Sequence, residues 1–357
     1  MTEVGLAVPA VAAFVAAALI SLWLTPFVRR LARRVDAIDH PEERRVNTSP
    51  VPRGGGVAVA IAYLLVVGAL LALNATVGLW LPSSAPPSPG VAALLLGGAA
   101  AVGIGLLDDR FDLRARWQLG GQVLVALVPV ALGISVGVIA NPFGPGIIRL
   151  EGVFAAVFVV VWVVGMINSI NFIDGLDGLS SGVALIAALT LAIISVTGTR
   201  SEPAVALVCV AFAGALLGFL RWNFHPASIF IGTSGVMFVG YTLALLSILG
   251  SAKVAVALLV LGVPIIDTFY IIVRRLAAGR SPFSADRGHI HHRLLELGLS
   301  HTQTVLLIYA ICAGFGALSL LLSGTGQLYA FLGAFLLFGI AILLLDRAAD
   351  QRASDGT

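Results

Sequence analysis

Two aspartates three residues apart, Asp174 and Asp177, stand in the stretch Asn168 to Gly182, NSINFIDGLDGLSSG. Nearly pure hydrocarbon lies on either side, VFAAVFVVVWVVGMI before it and VALIAALTLAIISV after it. Asn168 and Asn171 keep the same spacing, so if the segment continues as a helix all four residues form one polar stripe. Ionisable groups at a membrane boundary are costly and mark an ion or substrate path. Glycines at 175, 178 and 182 let backbone or ligand approach closely. A helix cap explains one such acid, but not the repeat.

Three further loops carry unusual residues. LLDDRFDLRARWQ supplies Asp108, Asp109 and Asp112. Adjacent carboxylates repel unless a cation lies beside them; a solvated loop offset by Arg110, Arg114 and Arg116 is the alternative. SPFSADRGHIHHRLLELG supplies His289, His291 and His292. No cysteine accompanies them, and two adjacent histidines suit a tetrahedral zinc cage poorly. Beside Arg274, Arg275, Arg280, Arg287 and Arg293 they resemble an anion cradle, with lipid headgroups as the alternative ligand. Asp267, about two helical turns before Arg274, is open to a structural ion pair or a catalytic task. The loop VRRLARRVDAIDHPEERRVNTSPVPRGGG reads as turn structure, its three glycines being weak evidence for a phosphate site. Taken together, carboxylates for a hard cation such as Mg²⁺ and cations for phosphates are what phosphoryl transfer requires.

The elements that must position these loops follow from composition. Of 357 residues, 59% are hydrophobic and 11% charged, with mean hydropathy +1.03. No water-soluble domain of this length buries so much apolar side chain. In lipid each backbone N–H and C=O must pair internally, and the long Leu/Ala/Val runs suit helices rather than the alternating strands of a barrel. The fold expected is an all-α polytopic membrane helix bundle, one integral-membrane domain over residues 1–357. Eleven spans are expected, near 4–28, 54–81, 91–107, 117–137, 153–167, 183–198, 204–220, 229–249, 255–273, 303–322 and 327–346. Of the 21 Lys and Arg, all but Arg149, Arg200 and Lys253 then fall on one face. That bias places the N-terminus outside and the C-terminus in the cytoplasm, with the unusual loops on the cytoplasmic face. Glu3 stands where a signal peptide would be basic, so no cleaved leader is expected. Cys209 and Cys312 lie in apolar runs and read as small hydrophobes. A transporter would also place ionisable groups in a bundle, but with internal repeats and polar groups near the midplane; no convincing repeat is seen. No nucleic-acid partner is expected.

DDRFD, NSINFIDGLDGLSSG, PIIDTFYIIVRR and SPFSADRGHIHHRLLELG resemble the polyprenyl-phosphate N-acetylhexosamine-1-phosphate transferases. PVPRGGG and HPASIFIGTSG match in place and order, so the resemblance runs in colinear blocks from about residue 36 to 300. The histidine-rich block is similar to the branch that uses UDP-N-acetylglucosamine and starts O-antigen, teichoic acid or arabinogalactan-type polymers. The resemblance implies a plasma-membrane enzyme dependent on Mg²⁺, with Mn²⁺ as an alternative ion. At the inner leaflet a polyprenyl phosphate, undecaprenyl or decaprenyl, would attack the β-phosphorus of the UDP-sugar and release UMP, the first membrane step of cell-envelope polysaccharide synthesis. On the same footing Asp108 and Asp109 match an acid pair that assists the lipid phosphate or the metal, and Asp112 completes its D-D-x-x-D. Asp174 and Asp177 match the D-G-x-D-G acids, Asp177 being the stronger metal ligand. Asn168 and Asn171 match amides near the nucleotide-sugar, and Arg275, His289, His291 and His292 match groups that hold pyrophosphate and sugar. The family reads G-D-x-G-S where this chain reads Gly232-Thr233-Ser234-Gly235-Val236, and that aspartate is a metal ligand. Thr233 offers no charge, which implies weaker Mg²⁺ binding unless something compensates, and keeps open a weakened or non-catalytic homologue that binds polyprenyl phosphate. Oligomeric state, including a homodimer, is left open.

Overall fold

The computed structural model describes residues 3–40, 49–77, 88–141, 143–144, 146–198, 202–250, 253–279, 281, 288–322 and 324–355, without the side chains of 3–5, 253 and 341–355. Arg44, Arg45, Arg200, Arg280 and Arg287 lie outside the described residues, as do the side chains of Lys253, Arg347 and Arg352.

Helices dominate: α1 (Glu3–Arg34), α2 (Gly56–Val77), α3 (Pro89–Phe111), α4 (Ala115–Ala131), α5 (Val153–Ile173), α6 (Leu179–Thr197) and α7 (Pro203–Asn223). They continue as α8 (Gly232–Leu249), α9 (Lys253–Val260), α10 (Gly262–Ala277), α11 (Ile290–Glu296), α12 (His301–Leu321) and α13 (Thr325–Asp355). Two antiparallel ribbons join them, β1 (Ile38–Asp39) with β2 (Val51–Pro52), and β3 (Val138–Ala140) with β4 (Ile147–Arg149). Strands this short leave no signal in hydropathy.

Each of the eleven expected spans falls on a helix, but among the described residues eight helices are long and apolar enough to cross a membrane. The segment expected at 255–273 is two helices, α9 and α10, bent by 81°. Gly262 and Pro264 sit at that break; proline has no N–H to return to the preceding turn. The α4 helix has 17 residues, about 26 Å at 1.5 Å per residue.

α6, α7 and α8 form the interior. α7 packs on α1 and α6, and α8 on α3 and α5. Tyr63, Phe212 and Phe238 meet edge to face at its centre, with centroids 5.4 to 6.0 Å apart, the arrangement that ring quadrupoles favour. α1 shows the division between protein and lipid along one helix. Ala13, Ala17, Ser21 and Thr25 are buried, while Val8, Val11, Val15, Leu19, Trp23 and Phe27 are exposed at helical spacing. Small residues let backbones approach where lipid provides no hydrophobic drive. The same logic acts on the functional end of α3. A Cβ at Gly105 would meet the backbone of Thr233 and Ser234, so glycine there lets α3 lie directly against the first turn of α8.

Candidate functional site

That contact delivers the carboxylate of Asp109 to the start of α8. Its Oδ1 accepts from the Thr233 N–H at 2.7 Å and its Oδ2 from the Ser234 N–H at 3.0 Å. The first N–H groups of a helix have no partner within the helix and favour an anion. Asp108 faces elsewhere. Its Oδ1 accepts from the Leu113 N–H at 3.0 Å and from Gln118 Nε2 at 2.8 Å, tying the turn between α3 and α4. Asp112, in the left-handed region at φ 47°, is largely exposed and accepts from Arg53 Nη2 at 2.6 Å. Of the three acids, Asp109 alone reaches α8 and lines a cavity.

Arg53 is held by the loop it belongs to. The Phe230 N–H donates to Pro52 O at 2.8 Å, Gly55 N–H to Phe230 O at 2.9 Å and Gly56 N–H to Ile231 O at 2.8 Å. PVPRGGG is thus laced to HPASIF. Asn223 anchors the second loop, accepting from Ser181 Oγ and donating to Ile229 O.

The polar stripe expected from 168 to 177 is not one helix face. α5 ends at Ile173, and residues 174–178 form a turn. Gly175 and Gly178 favour that break, Gly178 having φ +79°. Asn168 and Asn171 stay on α5, with Asn168 Nδ2 donating to Gln122 Oε1 at 2.7 Å and to Val164 O at 2.8 Å. Asp174 accepts from the Ser180 hydroxyl. Burial pushes its carboxyl up to about 7 against that hydrogen bond, and the charges of Asp109 and Asp177 push the same way. Asp177 Oδ2 accepts from the Ala227 N–H at 3.0 Å and lies 2.8 Å from His225 Nδ1.

Asp267, buried in α10, meets His289 and, among the described residues, no arginine. Its Oδ2 lies 2.7 Å from His289 Nδ1, and its Oδ1 accepts from the Ile290 N–H at 2.9 Å. The carboxylate so fixes the start of α11 and turns His289 Nε2 outward. His291 is buried against His289 and His292, at centroid distances of 5.5 and 4.4 Å. Burial holds its imidazole well below the ordinary value, with His292, His289 and His301 adding repulsion. Arg275 in the last turn of α10 lies with its guanidinium carbon 5.8 Å from the Phe172 ring centroid.

These groups surround two adjoining cavities. One, of about 350 Å³, is lined by Gln118, Gln122, Asn168, Asn171, Phe172, Asp174, Arg275, His289, His291 and His292. The other, of about 420 Å³, is lined by Arg53, Asp109, Asn171, Asp174, Asp177, His225, Thr233, His292 and His301 among others. Asn171, Asp174, Gly175 and His292 form the shared wall. Of the expected site residues only Asp108 and Asp112 line neither cavity. Gln122 stands in an apolar run and His301 in the polar stretch Ser300 to Thr304 before one, each alone and without a motif, while Arg53 and His225 lie inside motifs whose other residues carry the signal.

A Cβ at Gly175 would run into the His291 imidazole, which is buried and cannot yield cheaply. Gly175→Ala is expected to displace His291 and lower activity at least tenfold, with overpacking of about 1–3 kcal/mol. Activity and melting temperature of the purified variant check this, and unchanged values for both would contradict it.

A model of the family described as glycosyl transferase family 4 matches residues 91–251. A Mycobacterium tuberculosis protein named decaprenyl-phosphate N-acetylglucosaminephosphotransferase is 37% identical over 377 residues, covering 95% of this chain and 90% of its own length. A Bacillus subtilis protein named probable undecaprenyl-phosphate N-acetylglucosaminyl 1-phosphate transferase is 35% identical over 309 residues, covering 84% and 81%. A Thermotoga maritima protein named undecaprenyl-phosphate alpha-N-acetylglucosaminyl 1-phosphate transferase is 30% identical over 304 residues, covering 85% and 88%.

Proposed function

This chain belongs to glycosyl transferase family 4, and from that premise we propose that it transfers N-acetylglucosamine 1-phosphate from UDP-N-acetylglucosamine to a polyprenyl phosphate at the cytoplasmic leaflet of the plasma membrane. The N-terminus lies outside and the C-terminus inside. An oxygen of the lipid phosphate bonds to the β-phosphorus of the donor, the bond from that phosphorus to the bridging oxygen breaks, and UMP leaves with that oxygen. No water enters the balance.

The observation that carries this reading is the pair of cavities with Asp174 on their shared wall. Asn171, Arg275 and the three histidines provide donors suited to a nucleotide-sugar and its pyrophosphate, with Arg275 able to hold two oxygens at once, while Asn168, whose amide N–H groups go to Gln122 and Val164, offers its Oδ1 as an acceptor. Arg53 on the other side suits the lipid phosphate. His289 Nε2, oriented through Asp267, is placed to hold a proton or donate to a phosphate oxygen. The residues fit a divalent cation, because Asp109, Asp174 and Asp177 line one cavity, where burial first, and then repulsion from the other two, raises the Asp174 carboxyl. Mg²⁺ is the ion implied by the family resemblance, and Asp177 and Asp109 would hold it. Such an ion supplies charge neutralisation at the phosphates.

Thr233 favours a second reading, a relative that binds polyprenyl phosphate without turnover. Incubating the purified protein with polyprenyl phosphate, Mg²⁺ and sugar-labelled UDP-N-acetylglucosamine separates the two. Chelator-sensitive label in the lipid phase supports transfer, whereas folded protein that binds the lipid phosphate and yields no labelled lipid supports the second reading. Thr233→Asp is expected to lower the Mg²⁺ concentration for half-maximal rate about tenfold, because ligand charge sets the affinity of such sites. A Mg²⁺ titration checks it, and an unchanged midpoint would contradict an under-charged metal site.

A further inference from the structure

Three residues from separate elements converge in the second cavity. Asp177 comes from the turn after α5, His225 from the loop after α7 and His301 from the first position of α12. One carboxylate oxygen and one ring nitrogen of each histidine all lie within 4.8 Å of one another. The two imidazoles stack with centroids 4.1 Å apart and 18° between planes. His301 Nε2 is buried and finds no hydrogen-bond partner among the described residues.

Local structure holds all three in place. Ser300 and Gln303 form a capping box, which fixes where α12 begins and so where His301 stands. Tyr309, two turns further along α12, donates to Gly178 O and binds that helix to the turn carrying Asp177. His225 is set by the loop that Asn223 anchors. The hydrogen bond to Asp177 accounts for the orientation of His225, but not for a second imidazole brought onto it from another helix.

We propose that Asp177, His225 and His301 form a binding site for a first-row transition-metal dication, Zn²⁺ or Mn²⁺, in preference to Mg²⁺. Two imidazole nitrogens and one carboxylate make a donor set that Mg²⁺, with its demand for oxygen in near-ideal octahedral geometry, takes poorly. Three protein ligands leave coordination positions open, and here they face the cavity that holds Asp109, Asp174 and Arg53. The ion takes the place of the direct contact between Asp177 Oδ2 and His225 Nδ1. With bonds of about 2.0–2.1 Å, tetrahedral ligand atoms stand about 3.4 Å apart, so those two side chains need separate by only about half an ångström. The site itself stands on this geometry; its service to phosphates rests on the transfer reading above.

Electron spin-echo spectroscopy of Mn²⁺ on the full-length, metal-stripped protein in detergent, without substrate, tests the site. The expected result is modulation from coordinated nitrogen, displaced by Zn²⁺ at stoichiometric amounts and by Mg²⁺ only at concentrations at least about 100-fold higher than Zn²⁺. His225→Gln and His301→Gln are each expected to remove part of that modulation and weaken Mn²⁺ binding at least about 100-fold, since losing even an outer-shell partner costs 10–100-fold. Bound Mn²⁺ without nitrogen modulation in the unsubstituted protein, or equal displacement by Mg²⁺ and Zn²⁺, overturns the proposal and needs no variant to fold. Nitrogen coordination without labelled lipid would overturn the transfer reading alone, and labelled lipid without nitrogen coordination would overturn this site alone.

Discussion

Asp109→Asn is expected to cut transfer by about 100-fold or more, equivalent to about 2.7 kcal/mol of barrier. Both carboxylate oxygens of Asp109 accept N–H groups from the first turn of α8. An asparagine can offer an oxygen to one of them and must present its NH₂ to the other, so a donor faces a donor. The substitution also removes the negative charge from a helix N-terminus, where it is favourable, and from the cavity that Thr233, Asp174 and Asp177 line. Leaving one buried donor unsatisfied costs about 1–3 kcal/mol, so a lower melting temperature should accompany the lost turnover. Assaying variant and parent at one temperature, below both transitions, isolates the effect on rate. Near-normal turnover would remove Asp109 from the site.

Asp177→Asn is expected to have an effect of the same size with far less structural damage. Its Oδ2 accepts the Ala227 N–H and lies beside His225 Nδ1. The asparagine oxygen can keep the first contact, or its amide can donate to a neutral imidazole, so the shape survives and the charge does not. Turnover should fall about 100-fold or more while the melting temperature stays close to that of the parent. Unimpaired transfer would mean that no cation at Asp177 serves the reaction, whatever binds there.

These two residues also mark where sequence reading succeeds and stops. Hydropathy located the helices because a membrane span needs about 20 apolar residues in a row, and the polar loops stood out against that background. Colinear motifs then drew Asp109, Asp174, Asp177, Arg275 and the histidines into one group, and they do line adjoining cavities. Asp108 and Asp109 are neighbours with identical side chains, yet a helix sends consecutive residues about 100° apart. One ties a turn and the other reaches α8, a difference visible only once α8 is in place. The stop of α5 at Ile173 is a contest between hydrophobic periodicity and two glycines, and spacing alone does not decide it. His301 was invisible for a different reason. A lone histidine at the edge of an apolar run carries no signal until folding sets it on His225, 76 positions earlier by sequence number. Asp267 illustrates the converse, since its partner is His289 in the next connecting segment rather than the arginines on its own helix.

The most direct test follows the phosphorus rather than the sugar. Donor labelled with ³²P at the β-position and with tritium in the sugar is incubated with polyprenyl phosphate and the purified protein. Both labels are expected to enter the lipid phase in equal amounts, with unlabelled UMP released in the same quantity. Tritium reaching the lipid without ³²P, or neither label reaching it from folded, metal-supplied protein, would contradict the transfer reading.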